Sequence, residues 1–293
     1  MRIRFRGTRG SLPVPGPRTV RYGGNTTCIE VRGDHGGLLI LDAGTGIRGL
    51  GRELVAEGVA SCDIFISHLH WDHISGLPFF LPLFLPGRRV TLYGPADPLN
   101  MTGIEAALDR QMEYPFFPVR AAELSAELEC RTLSEGETVD LGFAQVSPLL
   151  MNHPAPNFGY LVRCDGKSMF FTGDHEPFVN IYSPGDKDFE MYAELVEQRN
   201  RAILDRLRGV DLLVVDAQYT SEEFAVKRGW GHGSMDSALE MARDAGAELV
   251  VLTHHDMERS DEDLDELDAR LRAGWKESGV RFELAREGME FEL

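Results

Sequence analysis

The segment Asp63-Ile64-Phe65-Ile66-Ser67 runs directly into His68-Leu69-His70-Trp71-Asp72-His73. Its apolar centre reads as a buried strand, and in an extended chain alternate side chains share a face. His68 and His70 therefore project together from the strand's end and can grip one ion. A turn at Trp71 brings in Asp72 and His73, which point elsewhere and suit a second ion, while Gly76 lets the chain turn away. Imidazole nitrogen and carboxylate oxygen without sulfur suit zinc, and manganese or iron accept the same ligands. A lone histidine is more often held by ordinary hydrogen bonds. Three histidines and an aspartate within six residues favour a metal cluster, and four residues cannot complete two coordination shells. Other strand ends must contribute.

Such ends recur. Short β-rich runs finishing in Asp, His or Gly occupy residues 38–42, 63–68, 89–93, 169–174, 211–216 and 248–254. Amphipathic helical patterns cover 47–57, 189–208, 235–245 and 261–276, the last with Ser260 as N-cap. Gly136, Gly142, Gly159 and Gly166 separate strand-like pieces between residues 131 and 171, which read as antiparallel hairpins. The pattern predicts an α/β protein in which two mixed sheets face each other with helices outside. We expect a single domain over 1–293, with helical insertions near 96–129 and 176–208. The aromatic stretch Tyr114-Pro115-Phe116-Phe117-Pro118 is expected to pack, with a pocket wall or subunit contact as alternatives.

Composition narrows the function. At 293 residues and 43% hydrophobic content the chain can bury a large core. Cys28, Cys62, Cys130 and Cys164 are widely spaced, which suggests neither a thiolate cluster nor a disulfide scaffold and fits reduced thiols in a cytoplasmic protein. The start MRIRFRGTRG lacks the apolar stretch of a secretory signal, and the longest apolar run, 77–85, is broken by Pro78 and Pro82, so no membrane contact is expected. A net charge of −17 disfavours a large nucleic acid, whose binding rests on Lys and Arg. A small anionic substrate held by metals is compatible with it.

His-x-His-x-Asp-His after a hydrophobic strand resembles the signature of the metallo-β-lactamase superfamily, and further landmarks follow in order: Leu39-Ile40-Leu41-Asp42-Ala43-Gly44, His153, Phe171-Thr172-Gly173-Asp174 and His254. The resemblance spans nearly the whole chain. It implies an αββα sandwich with two divalent ions, His68, His70 and His153 on the first, Asp72, His73 and His254 on the second, and Asp174 bridging. Asp42 would support the ligands from behind. Paired ions lower the pKa of a shared water toward neutrality. His254 and His255 are adjacent and leave the assignment open; His254 is favoured because it directly follows the apolar strand, and His175, beside Asp174, is left off the metals. His35 reads as a solvated turn residue.

The C-terminal half resembles the phosphodiesterase branch that includes ribonuclease Z. There a His-Ser-Thr loop precedes a helix and the last metal-binding histidine; here the loop is His232-Gly233-Ser234, with the serine displaced and the threonine absent. The resemblance makes His232 a general acid and Asp216 the carboxylate that orients it, where ribonuclease Z usually has Glu. A structural helix start with a strand-end cap is the competing reading. Near the N-terminus Ser11, Arg9 or Arg18 are candidates to contact phosphate. The glycine-rich basic extension of ribonuclease Z is missing. The expected activity is hydrolysis of a small phosphodiester such as a cyclic nucleotide; the alternatives are another ester or amide, RNA 3′-end processing, or a metal-binding sensor without turnover. Members of the branch often form dimers, so a homodimer is a further expectation.

Overall fold

The computed structural model describes residues 1–97 and 100–293. Six strands follow in the first half: β1 (Arg2–Gly7), β2 (Cys28–Arg32), β3 (Leu38–Leu41), β4 (Ser61–Phe65), β5 (Arg89–Gly94) and β6 (Glu127–Thr132). The second half supplies β7 (Val139–Asp140), β8 (Ala144–Met151), β9 (Asn157–Cys164), β10 (Lys167–Phe171), β11 (Leu212–Asp216), β12 (Leu249–Thr253) and β13 (Phe282–Leu284), before β14 (Glu290–Glu292) returns to pair with β1. Two seven-stranded sheets result, ordered β14-β1-β2-β3-β4-β5-β6 and β13-β12-β11-β10-β9-β8-β7. Both are mixed: β3 to β6 and β10 to β13 pair in parallel, the remainder antiparallel. The fold is the expected αββα sandwich.

Strand alternation explains the layers. Leu39 and Leu41 of β3 face inward with Phe5, Phe65, Val162, Phe171 and Val214, filling the space between the sheets. Leu38 and Ile40 face outward onto Ile47, Leu50 and Leu54 of helix α1 (Ile47–Ala56). After β4 come the single-turn helix α2 (Trp71–Ile74) and then α3 (Ile104–Gln111). On the outside of the second sheet lie α4 (Phe189–Leu207), α5 (Ser221–Lys227), α6 (Met235–Ala245) and α7 (Asp261–Gly274), of which α4, α6 and α7 pack on Leu213, Val215, Val250 and Leu252. The Ser260 hydroxyl accepts from the Asp263 amide, the cap expected at the start of α7.

Three local expectations need correction. Gly159 separates no strands: it lies within β9, where a Cβ would come within 2.6 Å of the Phe170 ring, so close packing and not a turn requires it. The strand before the metal motif ends at Phe65, leaving His68 and His70 on an extended segment beyond the sheet. Tyr114 and Phe116 do not pack; they are 73% and 71% exposed. Of the region expected as an insertion at 96–129, residues 98 and 99 lie outside the described residues. No helix among the described residues is long and apolar enough to cross a membrane.

Candidate metal centre

Strands β8, β10, β11 and β12 run in one direction and deliver His153, Asp174, Asp216 and His254 to one rim of their sheet; the loop and short helix after β4 bring His68, His70, Asp72 and His73 to the same place. All seven residues expected as ligands converge, in two groups that share Asp174. In each group the ligand atoms lie within 4.8 Å of one another.

Asp174 divides its two oxygens between them. Its Oδ2 stands 3.4 Å from His68 Nε2 and 3.9 Å from His153 Nε2; its Oδ1 stands 3.1 Å from both His73 Nε2 and His254 Nε2. His70 Nδ1 is 3.1 Å from His153 Nε2, and Asp72 Oδ2 is 3.1 Å from His254 Nε2. Ligand atoms about 2.1 Å from a tetrahedral ion stand roughly 3.4 Å apart, close to these separations. His68 Nε2, His73 Nε2 and Asp174 Oδ1 are buried without a hydrogen-bond partner. Leaving such atoms unsatisfied costs about 1–3 kcal/mol each, so their convergence fits cations better than empty space.

The outer ring nitrogens are held so that the inner ones face the centre. His73 Nδ1 donates to Asp42 Oδ2 at 2.6 Å, His153 Nδ1 to the Gly231 carbonyl at 2.9 Å, and His254 Nδ1 to Gln218 Oε1 at 3.1 Å. Asp42 also accepts from the amide and hydroxyl of Ser67. These bonds fix the tautomers that leave Nε2 as the ligand. Asp42→Ala is expected to weaken zinc affinity by about 10–100-fold, measured by chelator competition.

Electrostatics point the same way. Burial would raise the carboxyls of Asp72 and Asp174, yet the surrounding imidazoles hold both well below the usual range. Burial would likewise lower His73 and His254, yet Asp174, with Asp72 or Asp216, lifts both. Burial dominates at His68, His70 and His153, which are lowered and so offer free lone pairs. Carboxylates that draw protons onto neighbouring imidazoles draw divalent cations more strongly.

The adjacent histidines separate cleanly. His254 takes a left-handed conformation at φ 62°, which ends β12 and turns its ring inward, while His255 Nε2 donates to the Ala285 carbonyl and burial pushes its pKa down to about 3. His175 Nδ1 accepts from the Asn152 amide. Asp42 and Ser11 share the left-handed conformation, and the Ser11 amide donates to Asp72 Oδ2 at 2.7 Å. Three of the five non-glycine residues with positive φ among the described residues thus lie at the centre. Gly10 must lack a side chain, since a Cβ there would come within 2.3 Å of the His254 ring. Arg9 is removed as a phosphate contact: it is fully buried and donates to the carbonyls of Gly23, Asp256 and Arg259.

His232 stands beside the metal groups. Its Nδ1 is 2.9 Å from Asp216 Oδ2, and its ring stacks on His254 at 5.0 Å. The loop that carries it is fastened by Glu176, a residue the sequence reading overlooked. The buried Glu176 carboxylate accepts from the amides of Gly229 and Gly231 at 2.9 Å, and Gly231 holds His153 in turn. Its only sequence signal is an acid two residues past Asp174 at the end of a buried strand. Gln218 was likewise unforeseen. Glu176→Ala is expected to speed amide exchange at 229–233 by about tenfold or more, a loss of roughly 1.4 kcal/mol of local protection, read by hydrogen exchange.

Comparison with known proteins agrees with this geometry. Residues 38–255 match the family described as beta-lactamase superfamily domain. Ribonuclease Z of Haloarcula marismortui is 26% identical over 99% of this chain and 96% of its own length. Ribonuclease BN of Escherichia coli is 26% identical over 87% of this chain and 88% of its own. Among solved structures, the metallo-beta-lactamase fold protein YhfI from Bacillus subtilis superposes with a TM-score of 0.68 at 15% identity, covering 100% of this chain and 98% of that one. Since the family match spans every strand end that feeds the centre, the chain belongs to the metallo-β-lactamase superfamily, as a ribonuclease Z-like metal-dependent hydrolase.

Proposed function

We propose that this protein is a two-zinc phosphodiesterase acting on a small phosphodiester such as a cyclic nucleotide. His68, His70 and His153 would hold one ion, Asp72, His73 and His254 the other, and Asp174 both. Bound there, the ions would supply Lewis acidity and an acidified water. The all-nitrogen-and-oxygen donor set supports zinc, and metal analysis of protein purified without added metal tests it.

The observation that carries the phosphodiester reading is the His232–Asp216 pair beside the ligands. Asp216 accepts a hydrogen bond from the Nδ1–H of His232, so the proton available for transfer is the one on Nε2, and His232 would give it to the departing oxygen. Asp216 is anchored for that task, its Oδ2 also accepting from the His175 amide at 3.0 Å. Ser11, through its amide, and His254, through its ring, would keep Asp72 turned toward the centre.

A second reading, cleavage of RNA, is favoured by the relatives named ribonuclease Z and ribonuclease BN. Against it stands the net charge of −17. Zinc-loaded protein assayed on cyclic nucleotides, bis(p-nitrophenyl) phosphate, a precursor transfer RNA and a β-lactam separates the possibilities. Turnover of the small diesters alone supports our reading; turnover of RNA alone or of the lactam alone overturns it.

A further inference from the structure

A cavity of about 670 Å³ adjoins the centre, with His153 as one of its walls. The rest of the lining is chiefly apolar: Leu69, Ala96, Leu150, Ala155 and Phe178, with three prolines. Its polar members include Asn152 and the carboxylate of Asp97, and no Lys or Arg stands among the described lining residues. A polynucleotide running on from the scissile bond would bring a phosphate at every step and need cations to meet it. This wall offers none among its described residues. The volume is that of a site for one small organic group.

We propose that this cavity is the subsite for an uncharged, largely apolar group esterified to the scissile phosphate, the flat face of an aryl or nucleobase moiety being the best fit. The assignment rests on the phosphodiesterase reading for its phosphate, but it makes a separate demand. Binding energy here belongs to the organic group and not to further phosphates, so the protein discriminates among diesters by what hangs from the phosphate. His153 would then mark the boundary between the charged and apolar parts of the bound molecule.

The test is calorimetric titration of zinc-loaded protein with phenyl phosphate and with inorganic phosphate, alongside turnover of bis(p-nitrophenyl) phosphate and methyl p-nitrophenyl phosphate. Phenyl phosphate is expected to bind about tenfold or more tighter than inorganic phosphate, as burial of one ring provides. Ala155→Trp, which fills the cavity from a half-buried wall, should bring that ratio toward one, and Phe178→Ala, which removes an aromatic wall, should lower it by about threefold. Equal affinities in the unaltered protein, or a ratio that neither variant changes, overturns the subsite. If the ratio holds while no diester is cleaved, the subsite stands and the phosphodiesterase reading falls. If diesters are cleaved without the ratio, the reverse is true. An oligoribonucleotide that outcompetes phenyl phosphate at equal concentration also overturns the assignment.

Discussion

Replacing His232 by alanine is expected to slow hydrolysis of a diester with an alkoxide leaving group by about 10²–10⁴-fold while both ions remain bound. The same substitution should cost less than about fivefold with p-nitrophenolate, which departs without a proton. That contrast distinguishes a proton donor from a loop residue whose loss disturbs the site generally, since a structural defect would slow both substrates alike. The pH profile offers a second check. Burial would lower the His232 pKa from its ordinary 6.5, but Asp216, Asp174 and Asp72 outweigh it and raise the pKa to about 9. Cations on Asp72 and Asp174 cancel part of that pull. Activity requiring the proton is therefore present at low pH and lost as pH rises through a value between 6.5 and about 9. His232→Ala removes this alkaline limb.

Stripping the ions with a chelator should produce the largest change in stability. Ions present at a thousandfold excess over their dissociation constant stabilise the native state by about 4 kcal/mol. For a chain of this size that corresponds to a fall in Tm of roughly 7 °C on chelation, restored by zinc. The structural basis is the burial of Asp72 and Asp174 among converging imidazoles, with Asp42 behind His73, where ligand atoms left without hydrogen-bond partners would be satisfied by cations. Differential scanning calorimetry with and without chelator measures it; an unchanged Tm would mean that the clustered carboxylates hold no tightly bound ion.

Much of this centre was legible because its ligands sit where periodic patterns stop. Each of His153, Asp174, Asp216 and His254 lies at or just past the end of an apolar run that becomes β8, β10, β11 or β12, so the strands announced themselves and their endings exposed the chemistry. The choice between His254 and His255 was legible only as a preference for the residue that directly follows the apolar strand, and the left-handed backbone at His254 is what turns its ring inward. Glu176 and Gln218 were invisible for another reason. They act on backbone amides or on the far side of an imidazole, and a hydrogen bond to a residue distant in sequence leaves no periodic trace. Arg9 misled because its charge suggested an exterior role, whereas its Nε and Nη1 donate to three backbone carbonyls inside the protein. The exposed rings of Tyr114 and Phe116 misled in the opposite sense, since an apolar sequence carries no record of whether a neighbour covers it.

The assembly of the centre from segments far apart in the chain has a consequence for how the protein is made. Asp72 meets His254 across 182 residues of sequence, and His70 meets His153 across 83. Neither encounter can be sampled locally, and each must await closure of long loops. A metal ion would therefore find no complete site during synthesis: the chain must first collapse and bring these distant segments together, and metal capture would be a late, sealing event that reports successful folding.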